Sequence, residues 1–143
     1  MDETDLKLLE LADQGITKYS LLARKLDMPL STVHSRMKRM ELDKVIRGYR
    51  ADVDWKKAGL NLTAFVLIKA DVGKLRDTGK TQDTLLEELM DTDYVDQGYV
   101  ITGEADLLIR ITARDSAHLK DILLKDIDSM DGITGTRTII VLG

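Results

Sequence analysis

The chain has 143 residues, enough for one or two small domains. Apolar residues make up 43% but aromatics only 4%, so any core is aliphatic, and the absence of cysteine excludes disulfides, thiolate metal sites and cysteine nucleophiles. The net charge of −4 is unevenly spread: residues 1–60 hold 12 basic against 10 acidic side chains, residues 61–143 hold 9 against 15, and residues 24–50 alone carry 8 against 3. A small basic patch on an acidic molecule is a usable phosphate footprint. The acidic start, Met1-Asp2-Glu3, lacks the basic and apolar regions of a signal peptide. The longest apolar run, Ala64 to Ile68, is far short of a bilayer span. The expectation is a soluble, cytoplasmic protein with no membrane partner.

Along the chain, Thr4 is placed to cap a first helix that buries Leu6, Leu9 and Leu11, with Leu8 and Ala12 beside them, and that Gly15 stops. Ser20 to Leu26 suits a second, short helix with Leu21, Leu22 and Leu26 inward. Asp27-Met28-Pro29 is a tight connection, and Pro29, the sole proline, suits the first position of a third helix running to about Asp43. On that helix Val33, Met37 and Met40 fall within about 60° of one another and form an apolar stripe. Ser31, Ser35, Lys38 and Arg39 point the other way, with Thr32 and His34 on the shoulders. Short hydroxyls followed by cations suit a helix laid in the DNA major groove; an ordinary amphipathic helix with a solvated basic face has the same pattern. Three short helices with a tight turn before the third are the helix-turn-helix arrangement.

Val45 to Val53 is β-like and predicts a strand or wing carrying Arg47 and Arg50, then a connector in which Asp54 caps a single turn ending at Gly59. The second half changes character. Leu62 to Asp71 is a strand apolar on both faces, followed by a polar loop and a helix over Gln82 to Met90 with Leu85, Leu86 and Leu89 inward. Tyr94 to Thr102 and Leu107 to Ala113 are strands around the turn Gly103-Glu104-Ala105-Asp106. A helix capped by Asp115 or Ser116 runs through Met130 with Leu119, Ile122, Leu123 and Ile127 inward, and Ile133 to Leu142 is the last strand. The order β-α-β-β-α-β is the ferredoxin-like split unit. The domains expected are 1–50, a connector at 51–61, and 62–143.

With these segments in place the chain resembles the Lrp/AsnC family of prokaryotic transcription regulators over nearly its whole length. The resemblance rests on Asp2-Glu3-Thr4-Asp5-Leu6-Lys7-Leu8-Leu9, Leu22-Ala23-Arg24-Lys25-Leu26, Val33 to Glu41, and Val45-Ile46-Arg47-Gly48-Tyr49. In the second half it rests on Ile101-Thr102-Gly103-Glu104-Ala105-Asp106, like the family's Thr-Gly-x-x-Asp turn, on Gly132-Ile133 and on Thr138 to Leu142. Asp27 stands where family members tend to have Gly, and Pro29 where they tend to have Ser. The resemblance implies an α+β chain: a winged helix-turn-helix domain joined to a ferredoxin-like (ACT-like, RAM) domain. It further implies double-stranded DNA and a small effector, an amino acid, as partners, and dimers that assemble further, into octamers. No cofactor or metal is expected.

Ser31, Thr32, His34, Ser35, Arg36, Lys38, Arg39, Arg47 and Arg50 are the candidate DNA contacts. Arg36 lies near the apolar stripe, where an internal ion pair with Asp5 competes with a phosphate contact. For the effector, Thr102 opens a turn in which Gly103 permits a backbone conformation other residues resist, leaving N–H groups to hold a carboxylate. Glu104 or Asp106 is suited to an α-amino group, and Thr136 and Thr138 to line the same site; the plain alternative is a β-turn between strands. Two other functions compete. Sirohaem decarboxylases resemble this family, but with only His34 and His118, and no paired-carboxylate, Ser-His-Asp or metal-ligand spacing, the chain is expected not to be an enzyme. The other is an architectural protein that compacts DNA without an effector.

Overall fold

The computed structural model describes all residues, 1–143, and divides into two compact units, Met1–Val53 and Asp54–Gly143.

The first unit holds three helices, α1 (Glu3–Asp13), α2 (Tyr19–Leu26) and α3 (Leu30–Leu42). The cap of α1 is Asp2, not Thr4. Its carboxylate accepts the Asp5 N–H at 2.9 Å, and its own N–H donates to Asp5 Oδ2 at 3.2 Å, a reciprocal capping box that Thr4, already inside the helix, is too late to make. Leu8, not Leu6, is the buried anchor of α1; Leu6 is 53% exposed. Leu22 and Ala23 of α2 join it, and Val33, Met37 and Met40 complete the core as the α3 stripe predicts. Pro29 stands just outside α3 as its N-cap, extended at φ −60° and ψ 140°, rather than as its first residue. Two non-glycine residues adopt left-handed backbone at the helix ends: Asp27 (φ 50°) between α2 and α3, and Lys44 (φ 61°) after α3.

The stretch 45–53 forms no strand or wing. Only Ile46 N–H finds a backbone partner, Met40 O at 3.0 Å; the backbone groups of Arg47 to Val53 find none within the chain. β-propensity there is local, and a strand needs a neighbour to exist.

The second unit is a four-stranded antiparallel sheet with helices on one face. The elements are β1 (Leu62–Ala70), α4 (Val72–Asp77), α5 (Gln82–Met90), β2 (Val95–Val100), β3 (Leu107–Ala113), α6 (Ser116–Asp121) and β4 (Ile133–Ile140), in sheet order β2-β3-β1-β4. The short helix α4, capped by Asp71, replaces part of the expected polar loop. After α6 the helix widens to π form over Ile122–Ile127, where the Asp128 N–H reaches Leu123 O. The five-residue bonding turns Ile122 and Ile127 onto one buried face, which an α-helix would separate. Residues facing these helices, among them Ala64, Val66, Ile68, Leu107, Ile109 and Ile111, are fully buried. The other face of β1 is only half covered: Phe65 and Leu67 are intermediate and Lys69 exposed, so β1 is not the two-sided buried strand its composition predicts. No helix is long and apolar enough to cross a membrane.

Candidate DNA-binding face and effector pocket

In the first unit, burial of Val33, Met37 and Met40 fixes the rotation of α3, so Ser31, His34, Ser35, Lys38 and Arg39 are exposed and Thr32 half-buried. Arg36 lies between the two faces. Its Nη1 donates to Asp2 Oδ2 at 2.7 Å and to Asp5 Oδ1 at 3.0 Å, tying the middle of α3 to the capped start of α1. The Arg36 hydrogen bond, helped by the Asp5 N–H, holds the Asp2 carboxyl at about 2, and the two carboxylates push Arg36 upward. Around this clamp Asp2, Ser31, Ser35 and Arg39 border an open hollow of about 580 Å³.

A second cluster organises the other end of α3. Glu41 accepts the Tyr49 hydroxyl at 2.6 Å, the Tyr19 hydroxyl at 3.0 Å and the Lys38 ammonium at 3.4 Å. These bonds, from Tyr49 first, lower Glu41; burial and the carboxylate raise Tyr49. Lys38 also lies 5.9 Å over the Tyr19 ring, and His34 meets that ring edge-on at 5.6 Å. Through Tyr49 the stretch carrying Arg47 and Arg50 is fastened to α3, and both arginines are exposed. Sequence reasoning missed Tyr19, Glu41 and Tyr49. The separation of 22 residues between Tyr19 and Glu41 left no periodic signal for them.

In the second unit, Gly103 takes φ +131°, inside the region that favours glycine, as the turn at 103–106 requires. Asp106 is committed to the fold. Its Oδ2 accepts the Ala70 N–H at 2.9 Å and its N–H donates to Ile68 O at 2.9 Å, which straps the turn to the end of β1. Glu104, by contrast, is 83% exposed and pairs with Arg137 of β4 at 3.5 Å. Beside that pair lies a cavity of about 400 Å³ lined by Leu67, Lys69, Glu104, Ala105, Gly135, Thr136 and Arg137. Of the expected effector residues, Glu104 and Thr136 line it; Thr102, Gly103, Asp106 and Thr138 do not. Sheet register shows which residues of β4 the cavity selects. Gly135 and Arg137 pair with Lys69 and Leu67, the residues of the open face, whereas Thr138 pairs with Val66 and lies away from the cavity. Lys69, the one charge in the largely apolar β1, was the readable signal for this face.

His118 is engaged elsewhere: Nδ1 accepts the Arg114 N–H at 3.0 Å and the ring meets Tyr94 edge-on at 4.3 Å. No group of three or more His, Cys, Asp or Glu side chains is arranged to hold a metal ion.

Comparison with known proteins matches both units. Residues 1–47 match a winged helix-turn-helix DNA-binding family and residues 63–143 the Lrp/AsnC ligand binding domain. An uncharacterised HTH-type transcriptional regulator of Pyrococcus abyssi is 33% identical over 142 residues, 99% of this chain and 85% of that protein. The structure of Escherichia coli AsnC, 29% identical, superposes with a TM-score of 0.77 over 100% of this chain and 93% of its own. A feast or famine regulatory protein of M. tuberculosis, complexed with L-methionine, is 29% identical with a TM-score of 0.78, covering 99% and 92%. With a DNA-binding helical unit followed by the ligand-binding sheet unit, and both matched in that order, the chain belongs to the Lrp/AsnC family of transcription regulators.

Proposed function

We propose that this regulator binds DNA in a sequence-specific manner and that a small effector, an amino acid, modulates its DNA binding or assembly. The observation that carries the first part is the face of α3: Ser31, Ser35, Lys38 and Arg39 stand exposed on a helix whose opposite stripe is locked in the core. Short hydroxyls let the backbone approach base edges, while the cations meet phosphate or guanine. Thr32 and His34 border this face, and Arg47 and Arg50 add phosphate contacts from the stretch that follows α3. Arg36, already held by two carboxylates, serves as the clamp that seats α3 rather than as a free cation for DNA. The effector part draws on the Glu104–Arg137 cavity and on the relative complexed with L-methionine.

The working form is a homodimer that assembles further, to an octamer. Two features favour self-association: the unpaired backbone of Arg47 to Val53, and the half-exposed apolar side chains Phe65, Leu108, Tyr99 and Ile139 on the open sheet face. A dimer presents two copies of α3 on successive major-groove turns about 34 Å apart, so that two modest basic patches act together. The reading gives the chain a cytoplasmic, regulatory role with neither catalysis nor a cofactor. The test is fluorescence anisotropy with duplexes selected from random sequence, at low salt, with and without each of the twenty amino acids. Salt-dependent binding that prefers the selected duplexes and shifts with one class of amino acid is expected. Failure to prefer any duplex, or indifference to every amino acid, removes the corresponding half of the proposal.

A further inference from the structure

The cavity beside Glu104 is distinguished by its charges. Three charged side chains ring it, the cations Lys69 and Arg137 and the anion Glu104, over a floor of Leu67, buried Ala105 and Gly135. Register fixes their spacing. Gly135 lies directly opposite Lys69, and Arg137 opposite Leu67, so Lys69 and Arg137 are diagonal neighbours on one sheet face, about 7–8 Å apart at the backbone. Gly135 leaves the space between them open: a β-carbon added there meets nothing within 4 Å. Glu104 and Arg137 already stand 3.5 Å apart, the separation at which one effector's ammonium and carboxylate can each face an opposite charge.

We propose that the effector this cavity takes is an acidic L-amino acid, its α-ammonium on Glu104, its α-carboxylate on Arg137 and its side-chain carboxylate on Lys69. The inference rests on the reading of the sheet unit as an amino-acid sensor and adds the ligand class. Charge counting selects it. In the protein Glu104 and Arg137 already answer each other and Lys69 is left over, so the site carries a net +1. A zwitterion with a neutral side chain can insert between Glu104 and Arg137 but leaves Lys69 unmatched, and a dicarboxylate without an amine displaces Glu104 from Arg137 and offers it nothing. One ammonium and two carboxylates answer all three. About 400 Å³ leaves room for such a molecule, and its methylene groups cross the apolar floor between the charges.

The experiment is a thermal-shift titration of the full chain at matched ionic strength, comparing L-glutamate with L-glutamine and L-aspartate with L-asparagine. Each pair is nearly equal in size and differs by one charge. L-Leucine, L-methionine and glutarate serve as neutral and amine-free controls, and a ligand of the folded state raises the melting temperature in a saturable way. Half-saturation is expected at about two- to fivefold lower concentration for each acid than for its amide, the size of one exposed charge pair. Lys69→Gln, at an exposed position, is expected to melt like the parent and to erase that difference while keeping the amide response. A shift by a neutral amino acid equal to that of glutamate, or a preference that survives Lys69→Gln, overturns the acidic class and leaves the sensor reading standing. No shift with any of these amino acids overturns the acidic class, and indifference to all twenty in the anisotropy test overturns the sensor reading as well.

Discussion

Gly132→Ala provides the sharpest test of how the sheet unit is held. Gly132 sits at φ +93° immediately before β4, and its carbonyl accepts the Asp71 N–H at 2.8 Å. A β-carbon there would lie 2.4 Å from Leu75 Cδ2 and 2.9 Å from Leu75 Cγ, and Leu75 is 1% exposed. Two costs add. An L-residue at positive φ costs roughly 1–2 kcal/mol, and forcing a methyl into a packed core roughly 1–3 kcal/mol more. The expected loss is therefore about 2–5 kcal/mol, read by urea unfolding followed by circular dichroism at fixed protomer concentration. The two costs separate in a double-mutant cycle. Leu75→Ala alone leaves a cavity and costs about 2–5 kcal/mol, but it removes the overlap, so adding Gly132→Ala to it should cost only the backbone part, about 1–2 kcal/mol. An equal cost for Gly132→Ala in both backgrounds, or a single variant within about 0.5 kcal/mol of the parent, would refute the assignment of that glycine to Leu75 packing.

Three further outcomes are expected. Lys44→Gly and Asp27→Gly each relieve a side chain held at positive φ and should stabilise the helical unit by about 0.5–1 kcal/mol, whereas Lys44→Ala, which keeps the strain, should leave thermal melts unchanged. Because Arg36, helped by the Asp5 N–H, lowers Asp2 from 3.8 to about 2 in the folded chain, the clamp's contribution is complete above about pH 4 and is lost as pH falls from there toward 2. Melting temperature should drop across that window in the parent and more shallowly in Arg36→Gln; identical profiles would rule the pair out as the cause. In DNA titrations against salt, Arg39→Gln should lower the slope of log affinity by about 0.9 for each phosphate it no longer neutralises, while Arg36→Gln weakens binding with the slope unchanged. A reduced slope in Arg36→Gln would place that guanidinium on a phosphate instead of in the clamp.

The two halves of the chain differ in how far they can be read before folding, and the reason is the range over which their residues act. The α3 stripe is a local pattern, so spacing alone puts Val33, Met37 and Met40 in the core, and the exposed face follows by subtraction. An ion pair between Arg36 and Asp5 is also foreseeable, because two short helices packed on one core leave few partners for a cation beside the stripe. The stretch 45–53 shows where local preference ends: its residues favour extended backbone, but no segment of the same chain pairs with them and no strand forms. The sheet unit depends on registers between distant strands. Asp106, in sequence a turn residue open to a ligand, is taken up by the Ala70 N–H, 36 residues away. Thr136 and Thr138 stand out in sequence as polar residues on the closing strand, yet β1 pairing turns Arg137, lying between them, toward Leu67 and Lys69. A one-residue slip of β4 on β1 would turn Arg137 away from the cavity, so ligand charge preference at this site depends directly on strand register.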